Sequence, residues 1–323
     1  MFCRFCGAPL VAPEQMYCLK CGRQLCEAPK PAKKKSGIGA FFLSLLKGVC
    51  YFAVFYGVMS VVQVVYMVAL MFFFPNMGMS QSGYMGFSEE YWHVFSKYFC
   101  WMSVGTYALI FLVYLVIFAC RRKKLWRETD IKCVQFASLP SAFAFGIALQ
   151  IVTTFVIAFL SALNPAIAEN ATATDEMYNI MFKDSSVLSQ FVMTAVATPI
   201  IEELVFRGLI YTRMRKAMPK AAAMIFSSLA FGAAHSFGVQ LVYAALLGVV
   251  LVLLYEKYNS LWVPILLHAG FNATNYLYEF IDMESGLMQL TVFNVALGFA
   301  LVFVAYFFIS KPIYKEDKND EAV

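Results

Sequence analysis

Apolar residues dominate this chain in runs of about 20, the length that crosses a bilayer as a helix. Eight such segments can be read, at 39–74, 98–120, 138–163, 187–212, 220–238, 239–255, 261–281 and 287–310. The first is too long for one perpendicular crossing and is expected to tilt or to begin outside the membrane. The fifth and sixth are separated only by Ser236-Phe237-Gly238. The pattern predicts an all-α polytopic membrane protein with about eight transmembrane helices over residues 39–310.

Charge placement supports that reading. Basic residues gather in Lys33-Lys34-Lys35, in Arg121-Arg122-Lys123-Lys124 with Arg127, in Arg213, Arg215, Lys216 and Lys220, in Lys257, and in Lys311, Lys315 and Lys318. The intervening loops, 75–97, 164–186 and 282–286, hold only Lys97 and Lys183. Every second loop is therefore basic, so the positive-inside rule puts both termini in the cytoplasm. Residues 164–186 are expected to be a polar outer loop, and 311–323 a short charged tail. Composition agrees: 61% of residues are apolar and 14% charged, against about 45–50% and about 25% in soluble domains. The net charge of +5 is modest. The first 38 residues are polar, cysteine-bearing and lysine-rich, so no secretory signal is expected there.

Residues 1–26 carry a short repeat. Cys3-Arg4-Phe5-Cys6-Gly7 is echoed by Cys18-Leu19-Lys20-Cys21-Gly22. In each knuckle the glycine permits the tight turn that aims two sulfurs at one point. Two knuckles supply four thiolates for a structural zinc ion, Cys3, Cys6, Cys18 and Cys21, in a pattern similar to the zinc-ribbon family. A cytoplasmic location argues against disulfides, and the doubled knuckle is not a redox pair. Such a module could bind a protein, bind nucleic acid or cap a terminus; a protein partner is the expectation, nucleic acid is not. Residues 27–38 form a basic Pro/Lys linker.

Three segments carry ionisable groups at membrane depth, where charge is expensive and marks function. In the fourth, Glu203 and Arg207 are four residues apart on one helical face and can neutralise each other. Glu202, rotated about 100° away, has no such partner on its own helix. His235 ends the fifth segment after Phe231-Gly232-Ala233-Ala234, whose small residues permit close helix approach. On the seventh, His268 and Asn272 share a face. Carboxylate and imidazole together can activate water, and an imidazole with a carboxamide could stabilise an oxyanion. Alternatively, Glu202, His235 and His268 could hold a divalent metal that activates the water. Both schemes hydrolyse a carbonyl. For Glu203–Arg207 a structural, helix-locking role is expected.

The ordered set Glu202-Glu203-x-x-x-Arg207, Phe231-x-x-x-His235 and His268-x-x-x-Asn272 resembles the three motifs of the CPBP family of intramembrane proteases. That family comprises CAAX-type (type II prenyl endopeptidase) and bacteriocin-processing members, also called Abi proteins. The resemblance covers about residues 140–280. It implies an intramembrane endopeptidase with Glu202 as water-activating base, His235 assisting, and His268 and Asn272 stabilising the oxyanion or completing a metal site. Glu203, Arg207 and Phe231 would support them. The implied setting is a bacterial cytoplasmic membrane, with a peptide or protein substrate entering from the cytoplasmic leaflet; specificity for prenylated tails is not carried over. Two rivals remain. One is a non-catalytic relative acting as a scaffold, regulator or bacteriocin-immunity protein. The other is a coupled transporter, disfavoured because no repeated halves are visible.

The cysteine repeat makes a direct prediction. The purified chain should carry about one zinc per molecule, and Cys18→Ser should lose it by elemental analysis. Unchanged zinc stoichiometry in the variant would exclude the ribbon.

Overall fold

The structure is a computed structural model that describes residues 38–73, 87–129, 138–235, 238–277 and 286–309. The chain divides into two units, Met1–Ala40 and Phe41–Val323. The four expected zinc ligands, Cys3, Cys6, Cys18 and Cys21, the linker before residue 38 and the tail 311–323 lie outside the described residues.

Among the described residues every regular element is a helix: α1 (Ile38–Phe73), α2 (Glu89–Cys120), α3 (Leu125–Glu128), α4 (Ser138–Leu163), α5 (Pro165–Phe182), α6 (Val187–Ala217), α7 (Lys220–Ala233), α8 (Val239–Tyr258), α9 (Trp262–Leu277) and α10 (Gly286–Ile309). Six of them, α1, α2, α4, α6, α8 and α10, are long and apolar enough to cross a membrane. The expected count of eight is thereby reduced. The fifth and seventh segments are helices, but α7 has 14 residues and α9 has 16 described residues, short of the usual 20 or so.

The loop expected over residues 164–186 is a second correction, since most of it is helix α5. Its start signal is Asn164, whose side chain accepts the Ala166 N–H at 3.0 Å, followed by Pro165 in the first turn. Polarity had suggested a loop, but an alanine-rich stretch behind a good cap is a helix former. This helix is tied to the rest of the bundle. Asn170 Oδ1 accepts the Val239 N–H at 2.9 Å and so caps α8, where Gly238 sits at φ +87°. The Tyr178 hydroxyl accepts from Gln240 at 2.6 Å.

Helix α6 runs through the centre of the second unit, packed by α2, α7 and α9. Along its C-terminal half every residue from Ile201 to Tyr211 except Glu202 is buried. On α1, by contrast, Val61, Val64, Val65 and Val68 are each more than half exposed, as a lipid-facing surface requires. What α1 buries is aromatic. Phe52 and Phe55 meet Phe206 of α6 edge-on, and Tyr51 accepts the Tyr114 hydroxyl on its carbonyl at 2.7 Å.

Helices α4 and α9 make the closest approach. A Cβ on Gly146 would stand 2.0 Å from the Leu267 carbonyl oxygen, and one on Gly270 2.0 Å from that of Phe143. Lipid supplies no hydrophobic force between helices, so this backbone-to-backbone packing is what holds α9 in place.

On the side carrying the basic clusters, Glu128 of α3 bonds Lys123 at 2.8 Å and also the Arg213 guanidinium of α6. Partial burial pushes the Glu128 carboxyl up, but the hydrogen bonds from Lys123 and Arg213 outweigh it and hold it at about 2. A depressed folded value adds stability above the ordinary carboxylate range, and that stability is lost as pH falls towards about 2. Thermal unfolding in detergent should therefore show the α3–α6 contribution fading between about pH 4.5 and 2, and Glu128→Gln should remove that part of the acid dependence. An identical acid profile in the variant would contradict it.

Candidate active site

Pro199 interrupts α6 and shapes what surrounds the two glutamates. A proline has no N–H to give to the preceding turn. Upstream of it, Val192–Ala197 is wound as π-helix, and the Thr198 N–H reaches back five residues to the Met193 carbonyl. In that register the Thr194 carbonyl falls to residue 199, which cannot donate. Asn272 of α9 supplies the missing donor, its Nδ2 lying 2.8 Å from the Thr194 carbonyl. The Thr194 hydroxyl also lies 2.8 Å from the Tyr276 hydroxyl on the same face of α9. A second π-helical stretch, Leu204–Tyr211, follows the glutamates. Such bulges concentrate at functional sites.

Glu202 and Glu203 lie between the two bulges, and Arg207 lies within the second. Glu203 and Arg207 are fully buried and paired at 2.6 Å. The guanidinium also donates to the Gly248 carbonyl of α8 at 3.2 Å and lies 4.2 Å over the Phe231 ring. Glu203 Oε1 is in addition 3.1 Å from His268 Nδ1. The lock expected on one helix therefore extends across three others and grips the seventh-segment histidine.

Both imidazoles are oriented in the same way. Glu203 Oε1 accepts at His268 Nδ1, and the Phe231 carbonyl accepts at His235 Nδ1 over 2.8 Å. Each Nδ1 therefore carries a proton, and each Nε2 faces Glu202. His235 Nε2 is 3.8 Å and His268 Nε2 4.0 Å from Glu202 Oε2. Those spacings are too long for direct hydrogen bonds and suit a bridging water or substrate atom. Glu202 Oε2 is itself buried without a hydrogen-bond partner, which is rare for such an atom. As arranged, no group of three or more His, Cys, Asp or Glu among the described residues is spaced to hold a metal ion.

Glu202, His235 and His268 thus converge. Asn272 is on the same face of α9 as His268, but its recorded bond is to the Thr194 carbonyl. Phe231 lies against both imidazoles, tilted to His235 with ring centroids 4.5 Å apart and edge-on to His268 at 5.6 Å. Sequence reasoning missed a set of phenols. Tyr56, Tyr107 and Tyr178, from α1, α2 and α5, all lie within electrostatic reach of Glu202. The Tyr56 hydroxyl donates to the Ala234 carbonyl at 2.9 Å, next to His235. For Tyr56 and Tyr107 the only signal in the sequence is a hydroxyl inside an apolar run; Tyr178, in the polar stretch 164–186, gives none. The third histidine, His93, sits elsewhere, 2.9 Å from Asp184.

The match to a family model falls on this cluster. Residues 184–274, less than a third of the chain, match the family model described as Type II CAAX prenyl endopeptidase Rce1-like. That stretch contains Glu202, Glu203, Arg207, Phe231, His235, His268 and Asn272. A curated relative, "Putative membrane peptidase YdiL" of Bacillus subtilis (strain 168), is 25% identical over 107 residues. The alignment covers 31% of this chain and 44% of that protein, so the chain spans less than half of the relative's length. No solved structure matches the chain. An integral membrane protein with a peptidase-like segment is the class these observations define.

The Pro199–Thr194–Asn272 arrangement can be tested by a double-mutant cycle. Asn272→Ala should strand a buried carbonyl, at a cost of about 1–3 kcal/mol. Pro199→Ala restores an N–H at that position, so in the Asn272→Ala background it should recover part of the loss, read as the unfolding midpoint in detergent. Strictly additive effects would mean that the two residues do not share the Thr194 carbonyl.

Proposed function

We propose that the protein is an intramembrane endopeptidase, in which a water activated by Glu202 hydrolyses a peptide bond. The observation that carries this reading is the convergence of His235 Nε2 and His268 Nε2 on the unpartnered Glu202 Oε2, at 3.8 and 4.0 Å. The family match over residues 184–274 supports it.

In the reaction Glu202 takes a proton from water as the oxygen attacks the scissile carbonyl carbon. The His235 Nε2 lone pair accepts the water's other hydrogen and fixes its direction. The tetrahedral intermediate collapses by breaking the C–N bond, and the proton held by Glu202 passes to the departing nitrogen, leaving a carboxylic acid and an amine, which share the remaining proton as carboxylate and ammonium. Charge on the oxyanion is met by His268 and Asn272. The geometry restricts how they act. With its Nδ1 proton on Glu203, His268 donates from Nε2 only as an imidazolium; Asn272 must use the second hydrogen of Nδ2, because the first is held by Thr194. Glu203 and Arg207 keep His268 in place and do not touch substrate.

The substrate is a peptide or protein tail reaching the site from the cytoplasmic side, with both termini of the enzyme on that side. The N-terminal cysteines form a zinc module that docks a protein partner.

An internally quenched peptide library presented to the purified protein in proteoliposomes, with products identified by mass spectrometry, tests the activity. Glu202→Gln should lower cleavage at least about 100-fold while leaving membrane yield and unfolding midpoint near wild type. Arg207→Ala, which leaves Glu203 buried and uncompensated, should instead cost about 3–5 kcal/mol of stability. Full cleavage by Glu202→Gln would end the mechanism.

A further inference from the structure

Two carboxamides face each other where a membrane helix pair should present hydrocarbon. Gln150 stands at the middle of α4, roughly 18–20 Å from either end at 1.5 Å per residue. Its Nε2 donates to Asn275 Oδ1 of α9 at 3.2 Å. Asn275 is exposed, and further along α4 the apolar Val156 and Phe159 are exposed as well. Gln150 Oε1 is buried with no hydrogen-bond partner. Within a bilayer both features are costly, because hydrocarbon offers polar groups no substitute for water. Packing does not require them either, since the close approach of α4 and α9 is made one turn away by Gly146 and Gly270.

The pair is continuous with the ionisable cluster. On α9, His268, Asn272 and Asn275 follow at intervals of four and three, and so form one polar stripe on an otherwise apolar helix. Asn275 lies seven residues beyond His268, about 10 Å along the helix axis. An extended peptide covers that distance in about three residues. Gln150 engages the carbonyl end of the Asn275 amide, which leaves the Asn275 N–H groups directed away from that bond and, among the described residues, without a recorded acceptor.

The geometry points to Asn275 as a backbone-binding subsite for the peptide being cut, with Gln150 as the residue that positions it. The Asn275 N–H donates to a main-chain carbonyl about three residues from the scissile bond. This contact reads the extended backbone, not a side chain, and holds the part of the chain that lies past the site, towards the end of α9 away from the basic clusters. The inference rests on the endopeptidase reading for the identity of its ligand.

Binding, not turnover, tests it. Full-length Glu202→Gln protein in nanodiscs is titrated with fluorescein-labelled, apolar ten-residue peptides, followed by anisotropy. Each backbone amide is then replaced in turn by a trans-alkene, which has neither carbonyl nor N–H. One position should weaken binding roughly 3–10-fold, the worth of a single hydrogen bond. Asn275→Leu should weaken the parent peptide by a similar factor and abolish sensitivity at that position alone. Gln150→Leu should act in the same direction. Leucine suits a lipid-facing position, so the unfolding midpoint of both variants should hold or rise. Independent, multiplying effects of alkene and Asn275→Leu would overturn the subsite. So would unchanged peptide affinity with a lower midpoint, which means packing, or with loss of a dimer, which means that a second copy covers the pair. If the coupling is found while wild-type protein cleaves no library peptide, the endopeptidase reading fails and the subsite stands. Cleavage without coupling has the opposite meaning.

Discussion

A fully buried guanidinium–carboxylate pair sets the terms for this structure. Arg207 is the largest side chain with essentially no exposure, and Glu203 beside it is equally enclosed. Removing either partner would leave a charge that the surrounding Phe206, Phe231 and Leu209 cannot solvate. The pair therefore demands a fixed environment: the Gly248 carbonyl on α8, the Phe231 face on α7 and the His268 imidazole on α9. Four helices are registered by one ion pair. Gly248 has no side chain because a Cβ there would meet Ser228 at 3.1 Å and Arg207 Nη2 at 3.4 Å. The small residue and the large cation are two parts of one fit.

That fit separates the two adjacent glutamates chemically. Glu203 Oε1 is held by both Arg207 and His268, although its Oε2, like that of Glu202, is buried without a partner. Glu202, one residue earlier, has two Nε2 atoms at 3.8 and 4.0 Å and phenols from three helices within electrostatic reach. What separates them is the cation: a carboxyl that no guanidinium holds is better placed to take a proton from water than one bound to Arg207. The orientation of both histidines follows from the acceptors behind them, a carboxylate for His268 and a main-chain carbonyl for His235. Placing an acceptor behind each ring fixes which nitrogen carries the proton, and the carboxylate behind His268 also favours its charged form.

Much of this was legible in the sequence, for identifiable reasons. The i,i+4 spacing of Glu203 and Arg207 foretold their pairing, and the exclusion of Glu202 from that face foretold its isolation. His235 and His268 stood out because ionisable residues are costly in apolar helices. What stayed hidden depends on hydrogen-bond register. No periodicity announces that Pro199 follows a π-helical turn, and so Asn272 read as a purely chemical group when it also completes the backbone of α6. Helix α5 was taken for a loop because its polarity outweighed the Asn164-Pro165 start signal. Counting apolar residues gave α7 and α9 full spans, whereas α7 breaks at Ala234 before the turn that bears His235.

That break itself bears on how the site is built. A histidine in the middle of a long helix can only point sideways; one in the turn beyond a helix end can bend back over the last carbonyls. His235 does this, with its backbone N–H on the Gly232 carbonyl at 3.1 Å and its ring on the Phe231 carbonyl. The ring then lies tilted against Phe231, which also has Arg207 over its ring. A single aromatic residue thus touches the structural cation and both imidazoles. On the other side, Tyr56 donates to the Ala234 carbonyl, which an ended helix leaves free. Shortness of α7 is what makes those carbonyls available, so the departure from a full transmembrane span is part of what brings His235 to Glu202.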